Sequence, residues 1–247
     1  MLAAQDLSLP GRLQGISLAL RPGEVTAICG PNGAGKSSLL ACLSGLLRPE
    51  QGSVSLDGSP LARLAPRGRA RAIGYLPQQG EVAWNLSAET LVALGRLPWD
   101  AGREADMAAV DAALDALDLA ELRQRSVSHL SGGELARVLL ARVLAGKPQW
   151  ILADEPLANL DLAHQLALLR QFKRLAGEGV GVCLVLHDLA QAMNHADRVV
   201  VLDGGRVVAD GPPSEALSEA TIARVWNVGV RWLGEPGAKA LAPGQQT

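Results

Sequence analysis

The sequence predicts an α/β fold with an antiparallel β portion and an inserted α-helical subdomain. Short apolar runs that end at loops, such as residues 25–29 and 150–153, are typical of buried parallel strands. The turn signals Asp57-Gly58 and Asp203-Gly204-Gly205 lie between apolar residues and indicate antiparallel hairpins. Residues 87–146 are rich in Ala, Leu and charge at helical spacing, which indicates a helical insertion in the α/β core.

Apolar runs and helical spacing predict the positions of the individual elements along the chain. Strands are predicted at 25–29, 53–56, 73–76, 150–153, 180–186, 199–202 and 207–209, and helices at 36–47, 134–145 and 162–176. The tail from Gly234 is rich in Gly, Pro, Ala and Gln, and we expect it to fray. The chain is therefore predicted to be a single domain, residues 1–247, with core lobes at 1–86 and 147–215, the helical insertion at 87–146 and a short extension at 216–247.

The composition, net charge and cysteine pattern of the chain exclude several classes of protein. Hydrophobic residues make up 48% of the 247 residues and charged residues 19%, so a sizeable core is available. The net charge of −2 gives no basic footprint for nucleic acid. Cys29, Cys42 and Cys183 form no C-x-x-C pair, so buried thiols are expected rather than a zinc site or a disulfide. No signal peptide is predicted, and no apolar run approaches the ~18 residues that span a bilayer.

A phosphate-binding loop is predicted between the first buried strand and the first helix. Residues 30–37 fit G-x-x-x-x-G-K-[ST] with the strand before and the helix after that this motif requires. Its glycines let backbone N–H groups surround a β-phosphate, and the helix N-terminus points at the anion. Lys36 is expected to reach the β- and γ-phosphates, Ser37 to ligate Mg²⁺ and Ser38 to bond a phosphate oxygen. The predicted ATP-binding set is Gly30, Pro31, Asn32, Gly33, Ala34, Gly35, Lys36, Ser37 and Ser38.

Two carboxylates follow the apolar strand 150–153, at the end of a strand where ligands bind in open α/β sheets. Asp154 is the expected Mg²⁺-orienting acid, directly or through water. Glu155 is the expected general base for the attacking water. His187 follows the apolar run 180–186, from which it could reach the γ-phosphate and hold the water and Glu155.

The pentapeptide Leu130-Ser131-Gly132-Gly133-Glu134 resembles the signature motif of the ABC superfamily, and the other motifs occur in that family's order. The resemblance implies a P-loop NTPase (RecA-like) core, ATP and Mg²⁺ as cofactors, and catalytic roles for Lys36, Gln78, Glu155 and His187. It implies that the signature binds ATP held by a second copy of the chain in a head-to-tail homodimer. Gln78 resembles the family's glutamine that contacts Mg²⁺, and Gln79 is the alternative. Residues 158–161, which end at Asp161, resemble the D-loop, and His187 resembles the H-loop histidine.

The sequence departs from the family pattern at two places. The family usually has an aromatic residue before the phosphate loop that stacks on adenine, and no aromatic residue precedes Tyr75 here. Leu9, Pro10 or Arg12 could substitute for it; the alternative is a site with one stacking platform fewer. The second departure is Ala136, where the family commonly has Gln; we expect it to alter a contact near the signature.

Residues 92–98, 75–78 and 225–230 resemble the ATPases of importers for iron–siderophores, haem and cobalamin. This resemblance implies a peripheral protein on the cytoplasmic side of the inner membrane, with permease subunits as partners and a substrate-binding protein as an indirect one. We expect the loop around Gln78 and the surface near Trp84, Arg96 and Trp99 to receive a cytoplasmic helix of the permease, because exposed aromatic and Arg side chains are favoured interface anchors. The alternative is that the tryptophans, Trp150 above all, belong to the core. Three other functions stay open: the ATPase of another transporter class, a non-transport ABC protein of DNA repair or translation, and a module that binds ATP without turnover.

Overall fold

The computed structural model describes residues 1–78, 86–158 and 160–244. Its strands are β1 Leu2–Leu9, β2 Leu13–Leu20, β3 Val25–Cys29, β4 Gln51–Leu56, β5 Ser59–Pro60, β6 Ile73–Leu76, β7 Trp150–Asp154, β8 Gly181–Val185, β9 Arg198–Asp203, β10 Arg206–Gly211, β11 Val230–Leu233 and β12 Ala240–Pro243. Its α-helices are α1 Lys36–Leu43, α2 Pro66–Ala72, α3 Ala88–Ala93, α4 Arg103–Asp115, α5 Gly132–Ala145, α6 Leu162–Gly177, α7 Leu189–His195, α8 Pro213–Ala216 and α9 Glu219–Trp226. No described helix is both long and apolar enough to cross a membrane.

The central element is a six-stranded sheet in the order β10-β9-β3-β8-β7-β6. All neighbouring pairs are parallel except β9–β10, which is an antiparallel hairpin around Gly204 and Gly205. Every residue of β3, β7 and β8 is buried, as expected for parallel strands covered on both faces. The carboxyl ends of β3, β6, β7 and β8 consequently open on one edge of this sheet.

A second, antiparallel sheet has the order β2-β1-β4-β5. Leu2 of β1 pairs with Leu20 of β2 on one side and with Leu56 of β4 on the other. The apolar faces of this sheet and of α1 share one core with one face of the central sheet, including Trp150. The opposite face of the central sheet packs with α6 and α7 in a core that continues into α3, α4 and α5. The predicted antiparallel portion and the helices between β6 and β7 are thus both present.

Two predicted helix ends differ from the structure by two residues or more. The first helix ends at Leu43 instead of residue 47, because Gly45 adopts a left-handed φ of +72° and its N–H bonds to the Cys42 carbonyl. The signature helix begins at Gly132, two residues before the predicted start, because Ser131 serves as its N-cap.

The expectation that the tail frays from Gly234 was wrong for residues 234–244; residues 245–247 lie outside the described part of the chain. Strand β12 pairs in register with β11, with Leu241 opposite Trp232. The Asn194 side chain of α7 bonds both the N–H and the C=O of Lys239 at 2.8 Å, which fixes the hairpin to the central domain.

Candidate functional site

The phosphate loop, residues 30–35, has the backbone conformation that its glycines allow. Gly30, Gly33 and Gly35 all have positive φ, at +153°, +79° and +96°. A Cβ at Gly30 would lie 2.2 Å from the Leu202 carbonyl oxygen, and one at Gly35 would lie 2.4 Å from the Arg12 carbonyl oxygen. Other side chains would therefore deform this loop, whose geometry places the N-terminus of α1, an anion-binding feature, at the end of β3.

Lys36 is the first residue of α1 and is only 5% exposed. Its Nζ donates hydrogen bonds of 2.9 Å to the carbonyl oxygens of Gly30 and Pro31. Burial lowers the pKa of this ammonium, against the opposing attraction of Glu155. An ammonium has three N–H donors, so the Lys36 head is held by the loop and retains one donor for a phosphate oxygen.

Glu155 lies between two side chains from neighbouring strand ends. Its Oε2 accepts a 2.6 Å hydrogen bond from Nε2 of Gln78, which follows β6, and its Oε1 pairs with Nε2 of His187, which follows β8. Glu155 itself follows β7 and has a left-handed φ of +50°. Parallel pairing therefore brings together three residues that are distant in the sequence. Each carboxylate oxygen has a second lone pair, so Glu155 can still accept a hydrogen bond from a water.

Asp154, the last residue of β7, is a buried carboxylate at 4% exposure. It bonds the Ser37 side chain, but its Oδ1 has no hydrogen-bond partner within the described part of the chain. Burial raises the pKa of Asp154, although the Ser37 bond and Lys36 oppose this shift. An unpartnered, buried oxygen beside a serine hydroxyl on the phosphate loop suits a hard divalent cation.

The Asp154 carboxylate and the Ser37 hydroxyl therefore fit Mg²⁺ as oxygen ligands, whereas the Gln78 side chain bonds Glu155. No group of three His, Cys, Asp or Glu residues that could hold a metal occurs among the described residues. An ion at this place would complete its coordination with phosphate oxygens and water, as Mg²⁺ commonly does.

A cavity of about 370 Å³ lies over the loop and is lined by Gly11, Arg12, the loop and α1 residues 32–38, Glu155 and His187. Of the three residues that could replace the missing aromatic, the structure places only Arg12 in this cavity. Leu9 and Pro10 line a different cavity, next to Gln14 and Arg206.

The signature pentapeptide lies at the start of α5 and does not line the cavity of its own chain. Ser131 and Glu134 form a reciprocal cap: the Ser131 N–H donates to Glu134 Oε2 at 2.7 Å, and the Glu134 N–H donates to Ser131 Oγ at 3.3 Å. The Ser131 backbone bond lowers the pKa of Glu134. This cap leaves the helix N-terminus and its two glycines at the surface.

Asp161 is the N-cap of α6, and its Oδ1 accepts bonds from the His164 N–H at 2.9 Å and from His164 Nδ1 at 2.7 Å. The backbone bond from His164 lowers the pKa of Asp161. A Cβ built at Gly133 would lie 3.4 Å from the His164 ring, so this ring, which bonds Asp161 of the D-loop, also lies against Gly133 of the signature. Sequence reasoning missed His164, whose spacing of three from Asp161 was the available signal. Asn159 and Gln79 lie outside the described residues.

The expectation that Arg96 is an exposed anchor was wrong. Arg96 is 8% exposed, donates to the Ala145 carbonyl at 2.9 Å and pairs with Asp106 at 2.8 Å. Trp99 is partly buried and bonds the Gly146 carbonyl at 3.0 Å through Nε1. Trp84 lies outside the described residues.

The predictions that Trp150 belongs to the core and that the three cysteines are buried were correct. Trp150 is 2% exposed in the core of the central sheet. The three cysteines are buried and free, and burial raises the pKa of the Cys29 thiol, beside the loop, to about 12.

Known proteins match the chain over most of its length. A family model described as ABC transporter matches residues 13–158. The "Hemin import ATP-binding protein HmuV" of Myxococcus xanthus is 46% identical, over 95% of this chain and 93% of that protein. An inward-facing structure described as a metal-chelate type ABC transporter has a TM-score of 0.85 at 26% identity, over 99% of this chain and 97% of the other. The dimeric ABC transporter cassette MJ0796 has a TM-score of 0.77 at 25% identity, over 86% of this chain and 99% of the other. The chain therefore belongs to the ABC transporter family, of which it is an ATP-binding and ATP-hydrolysing subunit.

Proposed function

We propose that the chain is the ATP-driven motor of a haem importer, and that Glu155, Gln78 and His187 form its hydrolytic centre. The observation that carries the proposal is the Glu155 carboxylate held between Gln78 and His187 beside the phosphate loop. This arrangement supports the proposal, because a carboxylate held there could act as a base toward water beside the γ-phosphate of a bound ATP.

Hydrolysis of ATP needs positioning and charge neutralisation more than covalent chemistry. The N–H groups of the loop and α1 bind the phosphate oxygens, and Lys36 neutralises charge on the β- and γ-phosphates. Glu155 accepts a hydrogen bond from the attacking water and orients it in line with the γ-phosphate. His187 fixes one Glu155 oxygen and Gln78 the other, so the carboxylate cannot rotate freely.

Asp154, Ser37 and Gln78 are the residues that would hold Mg²⁺. When bound, the ion supplies charge neutralisation at the β- and γ-phosphate oxygens. The unpartnered Asp154 oxygen supports this assignment, because a cation would compensate the cost of burying the carboxylate.

The second copy of the chain supplies the signature. Residues 130–134 do not line the cavity of their own chain, yet they present a helix N-terminus, which is an anion-binding feature. In a head-to-tail dimer, Ser131 and the two signature glycines would contact the γ-phosphate held by the partner, and Asp161 would lie near the dimer interface.

Haem is the proposed cargo class because the haemin-import relatives match nearly the full length of the chain. The cargo is selected by permease subunits and a substrate-binding protein, and the chain is attached peripherally to the permease on the cytoplasmic side of the membrane. The burial of Arg96 excludes it as a side chain that docks on the permease. Leu97 and Met107 are exposed and line the same groove as Trp99, so we assign them as the permease-facing residues of this surface.

Haem uptake tests the whole proposal. The chain is expressed, together with its own permease and binding protein, in a bacterial strain that cannot import haem, and growth is measured on haem as the sole iron source. We expect growth with the wild type and none with Glu155→Gln, which retains ATP binding and loses hydrolysis by about 10²- to 10⁴-fold. Growth on a ferric siderophore or uptake of cobalamin, without growth on haem, would contradict haem as the cargo.

A separate measurement tests the shared site. Purified Glu155→Gln is expected to dimerise on addition of ATP and Mg²⁺, as measured by light scattering. The double variant with Ser131→Arg, which places bulk and charge at the signature, is expected to remain monomeric at the same ATP occupancy. Equal dimerisation of both would argue against a signature that binds the partner's ATP.

A further inference from the structure

Residues 58–80 form a strongly basic segment of the chain. They include Arg63, Arg67, Arg69 and Arg71 but no Asp or Glu, although the whole chain has a formal net charge of −2. These four arginines lie in the short helix α2 or just before it. A run of like charge without counter-charges is typical of a solvated face or of a surface that meets an anion. The surroundings of α2 distinguish these two readings.

One of the four arginines, Arg71, holds α2 beside the groove that contains Trp99. Its Nε donates to the Pro98 carbonyl at 2.8 Å, and its guanidinium lies 4.9 Å from the centroid of the Trp99 ring. Leu97 and Met107, the residues proposed to face the permease, line the same groove. The other arginines of the segment therefore lie beside the proposed permease contact.

A second contact joins α2 to the chain that follows α1. Cδ and Nε of Arg69 lie 2.8 and 3.1 Å from a Cβ built at Gly45, so the stem of Arg69 packs over this glycine. Arg48 and Arg69 both line a cavity of about 540 Å³. Among the described residues that line this cavity, Glu50 is the one carboxylate. Small-molecule sites have volumes of about 300–1,000 Å³, so the cavity can admit a phosphate-bearing group.

The basic surface consists of Arg48, Arg63, Arg67 and Arg69. Three of these side chains are exposed and Arg69 is partly buried. Within the part of the chain that the structure describes, the ion pairs of arginine involve other residues. A guanidinium can bond a phosphate through two parallel N–H donors. Leu46, two residues before Arg48, is 65% exposed, and exposed apolar side chains beside basic ones are typical of surfaces that lie on a membrane.

Two kinds of anionic partner could meet the basic surface beside a permease: phospholipid headgroups, or an acidic loop of the permease. Short cytoplasmic loops of membrane proteins carry an excess of Lys and Arg, which would repel the basic surface. The cytoplasmic leaflet, in contrast, has a negative surface potential that attracts clusters of basic residues. Charge complementarity therefore favours the lipid.

We propose that the basic surface binds the phosphate groups of anionic phospholipids in the leaflet around the permease, with one headgroup seated between Arg48 and Arg69. This inference rests on the proposed attachment of the chain to a membrane permease. The contact holds the chain against the membrane independently of the permease. Its strength depends on lipid charge and on salt, because it is electrostatic.

Flotation of the full chain with lipid vesicles tests the inference in the absence of any permease. Vesicles of phosphatidylcholine alone are compared with vesicles of phosphatidylcholine and phosphatidylglycerol in equal parts. Two double variants each remove two charges from the basic surface: Arg63→Gln with Arg67→Gln, and Arg48→Gln with Arg69→Gln.

The matched control variant is Arg170→Gln with Arg231→Gln. Both of these arginines are exposed, and the double substitution changes the net charge by the same amount. Thermal unfolding and the rate of ATP hydrolysis are measured for every variant, and both are expected to equal the wild-type values. A loss of vesicle binding would then not reflect a loss of folding.

The wild type is expected to float with the anionic vesicles and not with the neutral ones. Salt at about 1 M, where the Debye length is about 3 Å, should release it. Each double variant of the basic surface should bind the anionic vesicles about 30-fold more weakly, since one arginine near such a membrane contributes about 5-fold. The control variant should bind as the wild type does.

Three results would overturn the proposal. They are equal binding to neutral and anionic vesicles, an equal loss of binding in the control variant, and a wild type that floats with neither kind of vesicle while the basic-surface variants lose the permease in detergent. The third result would assign the basic surface to an acidic permease loop. Haem uptake tests the proposed function separately: arginine-dependent flotation without haem uptake would refute that function alone, and haem uptake without flotation would refute the lipid contact alone.

Discussion

Replacing Asp154 by Asn should make the folded chain more stable and inactive at the same time. Asp154 is 4% exposed, and burial raises its pKa despite the Ser37 bond and the attraction of Lys36. A carboxyl with a raised pKa in the folded state binds its proton more tightly there than in the unfolded chain. Its ionised form therefore lowers the free energy of unfolding at any pH above the raised value.

The size of the effect follows from what Asn removes. A buried polar group without a partner costs about 1–3 kcal/mol, and more when it is charged. Asn keeps a bond to Ser37 but loses the attraction to Lys36, so the expected net gain is about 1 kcal/mol. For a chain of this length that gain raises Tm by roughly 2–4 °C.

Thermal unfolding in the absence of nucleotide and metal measures this gain. Asp154→Asn is compared with the wild type at pH 8 and at lower pH, and Asp100→Asn, at an exposed site, is the control. The difference in Tm should be largest at pH 8 and should shrink as the pH falls toward the raised pKa. ATP and Mg²⁺ should stabilise the wild type much more than the variant. A lower Tm for Asp154→Asn at pH 8 would refute the reasoning, because it would mean that the ionised carboxylate stabilises the fold.

Three further substitutions test the loop, the signature cap and the C-terminal hairpin. Gly35→Ala should lower Tm and ATP affinity more than Gly33→Ala does. Both glycines have positive φ, but only a Cβ at residue 35 would meet a backbone oxygen, so equal losses in the two variants would contradict the close approach. Ser131→Ala should cost about 1 kcal/mol through the lost helix cap, measured by urea unfolding, and an unchanged midpoint would count against the cap. Asn194→Ala should speed hydrogen exchange in β11 and β12 selectively, because both bonds to Lys239 are lost; uniform protection would disprove the attachment.

The parallel strands and the phosphate loop were predictable because their signals are local. Residues 25–29 and 73–76 are apolar runs bounded by Gly and Pro, and the structure has strands at the same residues. The hairpin at 203–205 has its turn signal within three residues. Local sequence also placed Glu155 and His187 at strand ends, and parallel pairing then brings them together.

Two of the predictions that were wrong, for the tail and for Arg96, depended on partners distant in the sequence. The composition of the tail predicts fraying, but Asn194, 45 residues before Lys239, supplies the two hydrogen bonds that hold it. Arg96 has the character of a surface anchor, yet its guanidinium is bonded to Ala145, 49 residues away. Neither partner can be identified from local pattern, because each is set by how α7 and α5 pack.

Unfavourable local features cluster at the carboxyl ends of β3 and β7. Glu155 has a left-handed φ, Asp154 is a buried carboxylate with an unpartnered oxygen, and Gly30 and Gly35 hold backbone that no other residue could adopt without displacing a carbonyl. Left-handed residues elsewhere, such as Asp57 and Asn227, lie in turns or at helix ends, where this conformation is common. A fold maintains such strain where the surrounding structure overdetermines it and where function requires it. At this edge the backbone strain and the unmatched carboxylate oxygen lie beside the phosphate loop, and the cost of burying Asp154 is what Mg²⁺ binding would offset.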